Sequence, residues 1–271
     1  MEALKQKAKD LLERGEVKAI VGYTKGTGDI RRPYFAQRPE QVDGLVLDEA
    51  CTQNLATYAT KHEVRHLGKL GVVALPVTQR ALLQLMAERQ IRDGDVIVLV
   101  AEEGNVEKGN VKELASAAAL EEHLALKTDV MDEKDQELLA KLNAKSREER
   151  WAFWHRELSR CVKCYACRNS CPMCYCDHCT MDCNRPQWVP VASHDLGNFE
   201  YHVVRAMHLA GRCVECGECG RACPVGIPVH LLTFFAEESV HRQFGQRAGH
   251  SAKLDYALST FRPDDKESFI R

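Results

Sequence analysis

Twelve of the thirteen cysteines lie between residues 161 and 223, and eight of them form two runs of one spacing. Cys161-Val-Lys-Cys164-Tyr-Ala-Cys167-Arg-Asn-Ser-Cys171-Pro172 is answered by Cys213-Val-Glu-Cys216-Gly-Glu-Cys219-Gly-Arg-Ala-Cys223-Pro224. Cysteines at steps of three let one tight loop wrap an iron–sulfur cubane and ligate three of its irons. The fourth iron must be reached from another part of the chain. Zinc also uses Cys-x2-Cys pairs, but it needs four ligands per site and gives no reason for the same run to occur twice. The spacing therefore predicts two 4Fe–4S clusters and one-electron chemistry. Pro172 and Pro224 end helical hydrogen bonding just after the last thiol of each run.

Both runs resemble the C-x2-C-x2-C-x3-C-P pattern of bacterial-type two-cluster ferredoxins, in which the fourth cysteine of each run serves the other cluster. That resemblance implies one cluster on Cys161, Cys164, Cys167 and Cys223, and a second on Cys213, Cys216, Cys219 and Cys171. A third group follows the first run: Cys174, Cys176, Cys179 and Cys183, with His178 among them. Its C-x-C step is awkward for a single site, although a loop could still converge the two thiols. Three readings stay open there: a third 4Fe–4S cluster, a zinc site, or thiols with no metal of their own.

Around these residues the chain must build a scaffold. Its 271 residues suffice for one or two domains with a real core, and a net charge of -2 offers no global attraction to nucleic acid or an anionic membrane. No apolar stretch approaches the length of a membrane span, and Met1 to Lys5 opens a charged amphipathic helix rather than a signal peptide. A cytoplasmic, reducing environment is the expectation, with the cysteines as ligands rather than disulfides.

Four apolar runs read as strands: Val17–Gly22, Gly44–Leu47, Gly71–Leu75 and Val96–Val100. A helix is expected from Thr78 to Ile91. Strands alternating with helices predict an α/β domain over residues 1–128 with a mostly parallel sheet. Residues 129–160 read as one linking helix, with Leu138, Leu139, Leu142, Trp151 and Trp154 as its apolar positions. Residues 161–245 form the cluster domain. There Phe199, Val203, Ala206, Met207 and Ala210 mark a spacer helix capped at Gly211, and a second helix runs from His230 to about Phe244. Residues 246–271 read as a partner-contacting or loosely ordered tail. Cluster loops separated by helices resemble an α-helical ferredoxin, as in iron–sulfur subunits of succinate dehydrogenase and heterodisulfide reductase.

Cys164-Tyr-Ala-Cys-Arg168 followed by Cys171-Pro-Met-Cys-Tyr-Cys176 is similar to a specific group. These are the beta-subunit-type proteins of deazaflavin-linked hydrogenases and formate dehydrogenases, and their relatives in heterodisulfide-reductase-like complexes. Leu70 to Leu82 and Glu16 to Gly26 are loosely similar to that family's strand–Pro–helix segment and opening. The resemblance implies an electron-transfer subunit whose partners are a dehydrogenase or hydrogenase and heterodisulfide-reductase-like subunits. Its flavin site does not map cleanly, since Val77 stands where a cysteine is expected. Gly22, Lys25, Gly26 and Gly28 are the residues that could approach a phosphate of flavin or nucleotide, yet they do not form G-x-G-x-x-G, and FAD is not expected.

Cys51 reads as a small core residue, and His202 and His208 as cluster surroundings rather than catalysts. No catalytic triad or carboxylate pair stands out. Lys163, Arg168 and Arg221 flank the first cluster, whereas Glu215 and Glu218 lie within the second loop. Positive charge favours the reduced state, so the cluster on Cys161, Cys164 and Cys167 is expected to have the higher potential. The leading expectation is an electron relay; the alternative is a flavin-bearing beta subunit that itself oxidises a reduced nicotinamide or deazaflavin.

Overall fold

Strands β1 (Ala19–Lys25), β2 (Arg31–Ala36), β3 (Leu70–Val73), β4 (Val96–Ala101) and β5 (Val111–Leu114) form one sheet in the order β2-β1-β3-β4-β5. The computed structural model describes residues 1–101, 111–126, 131–181 and 186–253. β1, β3 and β4 run parallel, but β2 and β5 pair antiparallel at the two edges. The sheet is therefore mixed rather than mostly parallel. The edge strands escaped the sequence reading because an edge needs no continuous apolar run. β2 even carries Pro33, which an edge strand tolerates. Gly44–Leu47 is not a strand: it leaves a 3₁₀ turn and pairs with the sheet's backbone through an isolated Tyr23–Val46 bridge.

Side chains of the central strands alternate between two cores, as the pleat requires. Ile20, Val73, Ile97 and Leu99 face α1 (Glu2–Glu13), which buries Leu4, Ala8 and Leu11 against them. Val21, Tyr23, Val72, Val98 and Val100 face the other way. After the single turn α2 (His62–Arg65), helices α3 (Pro76–Ala87) and α4 (Ala117–Ala125) cover that second face. Met173, Leu209 and Val214 enter the same core from the cysteine-rich half, and Cys171, Cys174, Cys213 and Cys216 pack against it. The sheet thus supports one wall of the thiol region directly.

The expected linking helix is two helices, α5 (Glu133–Asn143) and α6 (Arg147–Ser159). A capping box starts the second: Ser146 accepts the Glu149 amide and Glu149 accepts the Ser146 amide. Four-residue helices α7 (Ala166–Asn169) and α9 (Glu218–Arg221) sit within the cysteine runs. The spacer helix α8 (Asp195–Leu209) lies between them in sequence and packs against α6 and α10 (His230–Phe244). Its buried face is only partly the expected one: Ala206 and Ala210 are buried, but so are Tyr201, His202, Arg205 and Leu209, while Met207 is exposed.

The start of the tail is anchored rather than loose. Ala248 N donates to Glu237 Oε1 at 3.0 Å and Gly249 N to Gln84 Oε1 at 2.8 Å. Glu237 is buried on α10, and burial lifts its carboxyl from 4.5 to about 7. The folded chain therefore holds this proton more tightly than the unfolded chain. Stability from this group is full below pH 4.5 and is lost as pH rises through about 7. The thermal midpoint of anaerobic protein should fall between pH 5 and 8, and Glu237→Gln should flatten that slope. Parallel slopes in the two proteins would discard this role.

Candidate metal centre

The two cysteine runs fold as copies of each other. Counting from the first cysteine of each, the third residue is left-handed: Lys163 at φ 50° and Glu215 at φ 55°. The fifth is left-handed too, Tyr165 at φ 59° and Gly217 at φ 71°, and each precedes the short helix of its run. Cys171 N donates to Arg168 O and Cys223 N to Gly220 O, both at 3.2 Å. Three non-glycine residues at positive φ cost about 1–2 kcal/mol each. Such strain persists where the surroundings over-determine it, as at ligand clamps. Here it curls amide groups towards sulfur: Lys163 N donates to Cys161 Sγ at 3.4 Å, and Ile227 N to Cys223 Sγ at 3.3 Å.

Cys161, Cys164, Cys167 and Cys223 line one small cavity, closed by Tyr165, Tyr201, His202, Val225, Ile227 and Val229. The last thiol of the second run thus stands with the first three of the first run. In the other loop Cys213, Cys216 and Cys219 are close enough to oppose one another's ionisation. Cys171 lies beside Cys174 and the Arg205 guanidinium. Burial pushes Cys161, Cys167, Cys213 and Cys219 upward, and Cys216 to about 11. Buried thiols of this kind ionise only against a compensating positive centre, which is what bound metal supplies. Among the described residues, no three His, Cys, Asp or Glu side chains meet closely enough for a single metal ion. A cubane asks for a different arrangement, with each thiolate on a separate iron around a cage. The donor chemistry and the caged layout of the first set fit that group.

Side chains outside the runs complete the walls. The Asn54 amide, from the sheet-bearing half, hydrogen-bonds Cys216. Tyr201 OH is 3.5 Å from Cys167 Sγ. Burial, with help from Arg205 and Lys163, holds His202 down at about 4, so it is neutral near pH 7. The flanking charges do not act as the sequence suggested. Arg221 pairs with Glu218 and donates to Cys216 O at 2.6 Å, so it serves the second loop. Glu215 pairs with Arg247 at 3.3 Å. Lys163 Nζ donates to Pro190 O and Arg168 Nη2 to Cys176 O. Ion pairing within and beside the second loop thus offsets the acidity on which the expected order of potentials rested.

Cys174, Cys176 and Cys179 line a separate cavity of about 190 Å³ with Arg168, Arg205, His208 and Arg212. Cys183 lies outside the described residues. Cys174 is the counterpart of Gly226: each donates its amide to the carbonyl of the fourth cysteine three residues earlier, at 3.1 Å. Cys51 is buried in the sheet core, its thiol directed to Val46 O and Asp48.

The glycine-bearing segment does not form a strand–helix turn. Gly22 lies within β1, where an added Cβ would stand 2.5 Å from Leu45 Cδ2. Gly26 and Gly28 make the β1–β2 hairpin turn beside an exposed Lys25. No helix N-terminus follows them to receive a phosphate.

No family model matches the chain. Two curated relatives are similar to parts of it. The F420-dependent formate dehydrogenase subunit beta of Methanocaldococcus jannaschii is 31% identical over 80 residues, which is 29% of this chain and 20% of that protein. The F420-dependent formate dehydrogenase 1 subunit beta of Methanococcus maripaludis is 31% identical over 105 residues, 39% of this chain and 26% of that protein. The chain spans about a fifth to a quarter of the length of these relatives. The matches relate it to beta subunits of that type. No helix among the described residues is long and apolar enough to cross a membrane.

Proposed function

We propose that this chain is an iron–sulfur electron-transfer subunit of an oxidoreductase complex. It relays electrons between a flavin- or metal-containing dehydrogenase or hydrogenase and a heterodisulfide-reductase-like acceptor. The observation that carries the proposal is the gathering of Cys161, Cys164, Cys167 and Cys223 around one cavity, although Cys223 is 56 residues beyond Cys167. A fold with one cage so assembled, and a second loop of the same backbone, supports two adjacent 4Fe–4S clusters on the ligand sets given above. Kinship with formate dehydrogenase beta subunits supports the class of complex.

Bound clusters would supply reversible one-electron capacity. The chain's own residues hold the thiols, direct amides at sulfur and exclude water with Tyr201, Ile227 and Val229. Outer-sphere transfer needs no general acid, base or nucleophile, and the neutral, buried His202 suits a wall rather than a proton donor.

Anaerobic purification with iron, acid-labile sulfide, zinc and flavin measured per chain tests the proposal. About eight irons and eight sulfides are expected for two cubanes, or about twelve if the Cys174–Cys183 group carries a third. Iron-poor, colourless protein would overturn it. A stoichiometric yellow chromophore released by acid would favour the flavin-bearing reading instead.

A further inference from the structure

Arg205 is a charge buried in the midst of the thiol region. It is 5% exposed, on the buried face of α8. Its Nη2 donates to Cys167 O of the first loop at 2.9 Å. Its guanidinium also hydrogen-bonds Cys219 of the second loop and Cys174 of the third group. Nε is buried without an acceptor among the described residues. Cys219, Cys174, Cys171 and Cys167 all lie near the guanidinium.

We propose that Arg205 is a positioning and potential-setting residue shared by both cysteine loops, a single cation seated between the two clusters. The proposal rests on the iron–sulfur reading above. An unpaired buried cation is costly, so it persists where anionic groups surround it. Each cluster becomes more negative on reduction, and a cation on its inner side stabilises that state. Because Arg205 touches both loops, it should raise both potentials together. The outer cations are less able to do so, since Arg221 is paired with Glu218 and Lys163 and Arg168 are directed at carbonyls.

Arg205→Met removes the charge at similar bulk, and Arg205→Lys keeps it without the fork. Iron content and redox-titrated EPR are read on anaerobic protein. Iron-loaded R205M should titrate lower at both clusters by at least 59 mV, a tenfold change in the ratio of reduced to oxidised cluster. R205K should stay within threefold of wild type. Loaded R205M with either potential unmoved would overturn the proposal. If R205M cannot hold iron, loaded R205K with near-native potentials supports the role of charge. Loss of iron in R205K too assigns Arg205 a purely structural role and overturns it. Wild-type protein without iron would instead sink the iron–sulfur reading, so the two failures are distinct.

Discussion

Cys223→Ala should abolish the same EPR signal as Cys161→Ala, although the two residues belong to different runs. Cys171→Ala should abolish the signal lost in Cys213→Ala. Each variant is expected to lose about four irons per chain, or to retain a degraded cluster at that position. The grouping follows from the cavity shared by Cys223 with Cys161, Cys164 and Cys167. It also follows from how each run ends. The short helices α7 and α9 close on Cys171 and Cys223, whose amides bond back to those helices and whose following prolines turn the chain away. If Cys223→Ala pairs with Cys213→Ala instead, each run serves its own cluster and the shared cavity has another cause.

Arg212→Ala should cost about 3–5 kcal/mol, because it leaves a buried carboxylate without its partner. Glu88 caps the C-terminal end of α3, and its side chain is only 3% exposed. Arg212 Nε and Nη2 reach its two oxygens at 2.9 and 2.6 Å in a bidentate fork. Tyr175 OH donates to the same carboxylate at 2.7 Å, and the guanidinium lies over the Tyr175 ring at 5.2 Å. The knot ties the sheet-bearing half to the third cysteine group and the second run, since Tyr175 follows Cys174 and Arg212 precedes Cys213. Against a typical total stability of about 5–15 kcal/mol, its loss is severe. Urea unfolding of iron-loaded protein gives the direct measure. Arg212→Lys should recover only part, since an ammonium cannot fork. Adding Glu88→Gln to R212A should restore part of the loss by removing the stranded charge. A loss below 1 kcal/mol in R212A would show that the pair is not a hinge point of the fold.

The residues of this chain that announce themselves in sequence do so over short range. Three cysteines at steps of three define a loop whatever surrounds it, and both loops took the same backbone. The His230–Phe244 helix and Gly211, at φ 72°, were equally legible, because helical spacing and a left-handed cap are local properties. The break between α5 and α6 was missed, although Ser146-x-x-Glu149 is a local start signal inside a run that otherwise reads as continuous helix.

Tertiary structure decided what depends on distant partners. β2 and β5 are strands because β1 and β4 offer them edges, not because their sequences demand it. Spacing alone also missed the polar part of the buried face of α8, His202 and Arg205, since a rule that counts apolar residues excludes an arginine. Arg205 is inside because thiols brought from both runs surround it, and no local pattern encodes that. Charges at Glu215, Glu218 and Arg221 likewise took their meaning from ion pairs that only folding could form. Ligand spacing is set within one turn of chain, whereas the field around a ligand is summed over everything packed near it.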